Sequence, residues 1–281
     1  MTSLVFAALL CATALASTPD ADDSLLQSAD AKVAIRLHAE LGTVGQVSHR
    51  LQFGVDGTEV NVARDLGQNV LYPFARFQVD LDIGVNRRNT VAFLYQPLDF
   101  RSTVAPSKRL QVGDLTFAAG EALEFRYGFP FYRTTWLSDL APANDVELAI
   151  GLGLQIRNAN IVYTSTDGRQ SIGSRNIGPV PLLAWRSRAP LSGTWWFGTE
   201  AQGFWAPIRL INGSNNDVEG LILDANGRVG IARDRGADFY ATVRYIGGGA
   251  VGTSSNPDPY TDGYTLNWLH FASLSLGATL R

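Results

Sequence analysis

Cysteine, methionine and charge are all scarce in this 281-residue chain, which holds one Cys, one Met and only 17% charged residues. The single cysteine, Cys11, leaves no disulfide framework and no paired-thiol redox or metal motif. Long hydrophobic runs are missing too. The chain is 46% hydrophobic, yet no stretch after the N-terminus reaches the roughly 18 uninterrupted apolar residues that a membrane helix needs. A formal net charge of -3 gives no electrostatic footprint for nucleic acid. No glycine-rich phosphate loop, nucleophile elbow or metal-spaced His/Cys cluster occurs. Asp20, Asp22 and Asp23 lack the glycine and distal glutamate of a calcium loop. No cofactor, metal or nucleic-acid partner is therefore expected.

The N-terminus has the composition of an export signal. Leu4 to Ala14 is apolar, and Ala14-Leu15-Ala16 before Ser17 has the small-x-small pattern of a cleavage site. Residues 1–16 are read as a signal peptide, although Met1-Thr2-Ser3 carries no Lys or Arg. The alternative, lipid attachment at Cys11, meets Leu10 where a small residue is required. Residues 17–31, with Pro19 and four aspartates, are read as a flexible acidic leader.

From Lys32 onward apolar and polar residues alternate with period two, which places successive side chains on opposite faces of a strand. Val33, Ile35, Leu37, Ala39 and Leu41 alternate with Ala34, Arg36, His38 and Glu40. Phe77, Val79, Leu81 and Ile83 alternate with Arg76, Gln78, Asp80 and Asp82. Leu123, Phe125, Tyr127, Phe129 and Phe131 alternate with Glu124, Arg126 and Gly128. A soluble sandwich also alternates, but it keeps one face of each strand in a dry core, whereas here the second face is charged in most strands. Short connections at Asn86–Asn89, Ala141–Asn144, Pro190–Gly193 and Asp234–Gly236 separate longer polar ones at Ser102–Gly120, Thr164–Asn176, Leu210–Asp217 and Gly248–Gly263. Asn212 to Asn216 has the composition of a loop tip. The expected fold is an all-β, antiparallel up-and-down transmembrane barrel over residues 32–281, with about ten strands and a range of eight to twelve. Twelve would follow if Ser48–Asn69 formed a further hairpin.

In this architecture the chain resembles the small outer-membrane barrels of the OmpA and OmpX type and their uncharacterised relatives. Gly57-Thr58-Glu59-Val60-Asn61-Val62-Ala63-Arg64-Asp65-Leu66-Gly67 resembles the first-loop signature of some such barrels. Ala272 to Arg281 is similar to a terminal barrel-assembly strand, and departs from the pattern by ending in Arg where Phe or Trp is usual. The resemblance implies an outer-membrane location, outer-membrane lipids and the barrel-assembly machinery as partners, and a monomer.

The inward set is expected to hold Arg36, Arg76, Arg126, Arg157, Arg228 and Arg244 against Glu40, Asp80, Asp82, Glu124, Glu147, Glu200 and Asp224. Opposite walls of a narrow bore can meet, and unpaired charges there are costly. A lumen filled by paired charges in a structural or surface-exposed protein is the leading reading. A narrow pore or transporter for small polar solutes is its alternative. A lipid-modifying hydrolase using His270 and Ser273 ranks below both, because a spacing of three in a strand puts the two side chains on opposite faces. A soluble secreted β-domain is the non-membrane alternative.

Overall fold

The computed structural model describes residues 33–84, 88–142, 145–207, 217–233, 236–254 and 262–281. The signal peptide, the acidic leader and the Asn212–Asn216 loop tip lie outside the described residues. Fifteen strands follow in chain order: β1 (Val33–Phe53), β2 (Val60–Asn61), β3 (Tyr72–Ile83), β4 (Asn89–Gln96), β5 (Asp99–Val104), β6 (Leu110–Val112), β7 (Leu115–Phe117), β8 (Leu123–Gly128), β9 (Phe131–Asp139), β10 (Glu147–Ser165), β11 (Ser171–Pro190), β12 (Trp195–Pro207), β13 (Asp217–Arg233), β14 (Ala237–Thr253) and β15 (Tyr264–Leu280). One helical turn, α1 (Val62–Asp65), follows β2.

Ten of these strands close into a ring in the order β1, β3, β4, β9, β10, β11, β12, β13, β14, β15, and β15 returns to pair with β1. Every pairing in the ring is antiparallel, and because β15 pairs with β1 the ring itself has no open edge. The count is ten because Ser48–Asn69 adds no barrel hairpin. Instead β1 runs on to Phe53, β2 touches it only at Arg50 and Leu51, and Val62–Asp65 winds into α1.

Two local devices shape the wall. The first is a register shift in β1 between Gln46 and Ser48, which leaves Val47 outward and 69% exposed. An extra residue reverses the phase of a strand. Below it the even positions Arg36, His38 and Glu40 face inward; above it the odd positions His49, Leu51 and Phe53 do. The second is the placing of glycine opposite an inward ring. Trp196 faces Gly230 across β12 and β13, and Tyr240 faces Gly277 across β14 and β15. A Cβ at Gly230 would stand 2.5 Å from Trp196 Cζ2 and 2.7 Å from the Phe239 carbonyl oxygen. Gly230→Val should therefore lower stability in micelles by about 1–3 kcal/mol through overpacking, read as a shift in the urea midpoint.

The long connections contain structure of their own. Thr164–Asn176 is mostly strand, since β10 and β11 pair up to Thr164 and Ser171. After β4 the chain passes Pro97 into β5, whose end and the β6–β7 hairpin lie within Ser102–Gly120, before β8 returns to β9 past Pro130. The hairpin folds back on the barrel mouth: Gly113 N–H donates to the Phe53 carbonyl at 3.2 Å and Thr58 N–H to that of Gln111 at 2.8 Å. At the same end Asp262 accepts the backbone N–H groups of Val55 at 2.8 Å and Tyr264 at 2.9 Å. Those two donors hold its carboxyl below the ordinary range.

Candidate functional site in the barrel lumen

The lumen has two storeys. The lower one, toward the short turns, is ionic. Asp224 on β13 receives Arg244 Nη1 at 2.7 Å, Arg133 Nη1 at 2.9 Å and Arg76 Nη1 at 3.3 Å. Glu200 on β12 receives Arg228 Nη2 at 2.7 Å, Arg186 Nε at 3.0 Å and Arg76 Nη2 at 3.4 Å. Glu40 stands 3.2 Å from Arg244 Nη2 and accepts the Ser275 hydroxyl at 3.1 Å. Asp80 meets Arg186 Nη1 at 2.8 Å and His38 Nε2 at 3.2 Å, and Arg36 Nε reaches Asp82 at 2.7 Å with Glu147 at 3.7 Å from its Nη1.

These contacts cross the bore. Arg76 on β3 meets Asp224 on β13, and three strands separate the two along the wall. Neutral amides tie in as well, with Gln155 Oε1 accepting from Arg133 Nη2 at 2.7 Å and Gln202 Oε1 accepting from the Thr135 hydroxyl at 3.0 Å. Six arginines here face six carboxylates, so the layer is neutral. Burying charge is costly, and only near-complete pairing offsets it.

The upper storey is apolar. Phe74, Phe100, Phe117, Phe125, Phe131, Tyr127 and Phe271 are all buried, with Leu51, Leu66, Leu98 and Leu110 around them. Phe271 packs edge-on against Phe100, ring centroids 5.2 Å apart, and against His49 at 6.1 Å. His49 brings an imidazole into this group; its Nε2 lies 2.9 Å from Asn267 Oδ1, in hydrogen-bond contact. The hairpin and α1 close over the top, where Ser102 donates its hydroxyl to the Leu66 carbonyl at 2.5 Å. Below the ionic layer a small cavity of about 30 Å³ opens at the short-turn end, lined by Arg36, His38, Arg186, Arg188, Trp196 and Asp238 among others.

Of the residues that alternation marked as lumenal, Arg36, Glu40, Arg76, Asp80, Asp82, Glu147, Glu200, Asp224, Arg228 and Arg244 lie in this one network. Arg157 also points inward but sits higher, bonded to Asn176. Glu124 and Arg126 do not face the lumen, which corrects the expectation for β8. Its apolar residues Leu123, Phe125 and Tyr127 turn inward to form the upper storey, so Glu124 is exposed and Arg126 pairs outside with Asp99 at 2.8 Å. Arg133, Arg186, Arg188, Asp238 and His38 belong to the interior and were not on the sequence-derived set. Their inward phase was the available signal. Each lies an even number of residues from a neighbour that was picked out, or from an outward tryptophan at odd spacing.

Ser273 and His270 stay apart. Ser273 is buried inward, while His270 faces out and its Nδ1 lies 2.6 Å from the Tyr245 hydroxyl. No Ser–His pair forms, and the strand shows no bulge between them. Among the described residues no group of His, Cys, Asp and Glu is placed to hold a metal ion.

No family model matches the chain and no curated protein does. Solved structures do resemble it. The outer-membrane protease OmpT from Escherichia coli matches with 9% identity over 92% of this chain and 99% of that one, at a TM-score of 0.44. Ail, the attachment invasion locus protein of Yersinia pestis, matches with 10% identity over 88% and 97%, at 0.33. The toluene transporter TodX of Pseudomonas putida matches with 7% identity over 87% and 88%, at 0.27. Likeness at this level does not extend to activity.

Proposed function

We propose that the chain is an integral outer-membrane protein whose lumen is sealed, and which acts through the surface it presents rather than by conducting solutes. The observation that carries this reading is the doubly filled bore, a neutral ionic layer below and an aromatic layer above, inside a wall that is apolar outside. Leu152, Leu154, Leu183, Val243, Leu274 and Leu276 are all exposed on that wall. Aromatic residues mark its limits: Trp195, Phe239 and Trp136 toward the short turns, Trp205, Tyr95 and Tyr132 toward the cap. Trp195 and Trp205 are ten residues apart on β12. At about 3.3 Å per residue and a tilt of about 40° that is roughly 25 Å, the height of an outer-membrane apolar band.

In this reading the short turns and both described ends of the chain face the periplasm, and the cap faces outward. Outer-membrane lipids and the barrel-assembly machinery are its partners, and β15 is the strand that closes the seam. Planar-bilayer recording tests the seal. The folded native protein should insert without conductance steps, and a steady open level would replace this reading with a narrow pore. A mature chain that stayed monomeric without detergent would remove the membrane altogether.

A further inference from the structure

Three arginines stand on the outer wall just beyond its apolar band, on β5, β8 and β11. The register fixes their heights. Tyr95 on β4, Tyr132 on β9 and Ile156 on β10 oppose one another across the ladder and face outward, with the two tyrosine rings stacked at 5.0 Å. Asn158 and Ile177 form the next outward pair toward the cap, and Ile177 is 57% exposed. One outward pair further, Arg175 on β11 opposes Asn160, level with Gly128 on β8 and Asp99 on β5. Arg126 on β8 and Arg101 on β5 oppose each other one pair above that.

All three guanidiniums lean back toward the apolar band. Arg175 Nε stands 3.4 Å from Asn158 Oδ1, one outward pair below its own. Arg126 donates Nε and Nη2 to the two oxygens of Asp99 at 3.0 and 2.8 Å, and Arg101 Nη2 reaches the same carboxylate at 3.5 Å. The cationic heads are thereby brought down to the level where the lipid-compatible wall ends. Charge is left over there. Among the described residues, the outward carboxylates of β5, β8, β10 and β11 are Asp99 and Glu124, and Glu124 lies one pair above Arg126, on the side away from the band. On the membrane side the three cations therefore face one carboxylate. Two of them are freely accessible, the Arg101 and Arg126 side chains being 69% and 39% exposed.

We propose that Arg101, Arg126 and Arg175 dock the phosphorylated head of an outer-leaflet glycolipid, whose acyl chains run down the wall past Ile177 and the Tyr95–Tyr132 pair. This rests on the membrane reading above and names the face and the lipid group that take part. Guanidinium forks bind phosphate oxygens in pairs, and the outward amides of Asn158 and Asn160 suit the hydroxyls of a sugar. The occupant is a lipid and not a free anion because cations and apolar wall form one continuous outward face on the same strands.

The test is retention of diphosphoryl lipid A by the native mature protein, folded in zwitterionic micelles doped with rising mole fractions of that lipid and read as lipid co-eluting with protein. Saturable retention is expected. Arg126→Gln and Arg175→Gln should each raise the half-saturating mole fraction about fivefold, and both combined with Arg101→Gln about a hundredfold, at the usual value of a basic side chain near an anionic lipid surface. These side chains lie on the surface, so the urea midpoint should not move. Arg169→Gln, in the turn between β10 and β11 and 84% exposed, should retain lipid as the native protein does. Equal retention by the native and triple-glutamine proteins, or equal retention of the dephosphorylated lipid, overturns the patch. Displacement of the lipid by inorganic phosphate at the lipid's own concentration also overturns it, in favour of a free-anion site. A barrel that enters micelles but retains no lipid loses this inference alone, whereas a chain that stays monomeric without detergent loses the membrane reading itself.

Discussion

Replacing Asp224 by Asn should lower the stability of the folded barrel by about 3–5 kcal/mol, because a buried ion cluster that loses one partner keeps its opposite charges uncompensated. Asp224 is 2% exposed and contacts Arg76, Arg133 and Arg244 from three strands other than its own. Asparagine preserves the volume and one acceptor oxygen, so the loss reads charge rather than packing. The nearest remaining carboxylates, Glu40 and Glu200, are already engaged by Arg228 as well. The urea midpoint in micelles measures the effect, with Glu219→Gln, exposed five residues earlier on the same strand, as a control expected within about 0.5 kcal/mol. A loss of under about 1 kcal/mol for Asp224→Asn would mean that water solvates the cluster. That outcome would count against a sealed lumen as directly as a conductance trace.

The alternation that made this lattice readable had a definite limit. Period two divides a strand into two faces, and composition must then decide which face is inside. For β3 and β13 the decision is easy, since the charged face must avoid lipid. For β8 both faces are ambiguous: Leu123, Phe125 and Tyr127 suit lipid as well as they suit an apolar interior. The choice depends on the cap, whose packing is set by β1, α1 and the β6–β7 hairpin, all distant in sequence. Glu124 and Arg126 were misplaced for that reason.

The bulge at Val47 was hidden by the same property. Leu51 and Phe53 continue an alternating pattern, but in the opposite phase to Arg36, His38 and Glu40, and a phase change in one strand looks like the start of another. The twelve-strand alternative arose there. Pairing partners resolve it, because β15 follows β1 through the shift and continues to Phe53. The meeting of Arg188 and Arg281 at one oxygen of Asp238 was beyond reach of the pattern: Arg281 arrives through the β14–β15 pairing, but Arg188 on β11 reaches it only because the sheet curls into a barrel.

Phe271→Ala should cost about 3–5 kcal/mol, the usual range for a phenylalanine removed from a tightly packed interior. Its ring is fully buried and meets Phe100, His49 and Tyr127. These contacts come from β5, β1 and β8, so the cavity opens where the cap rests on the wall and cannot collapse without moving several elements. Leu276→Ala, five residues on in the same strand, removes a side chain that is 73% exposed on the outer wall. In a micelle it exchanges one apolar surround for another, and a change within about 0.5 kcal/mol is expected. Comparison of the two urea midpoints therefore separates packing against protein from contact with detergent. Conductance should stay absent in Phe271→Ala, because the ionic layer below closes the bore independently. If that single truncation opened a pore, the aromatic storey would be the sole seal, and the lattice of arginines and carboxylates beneath it would line a water path.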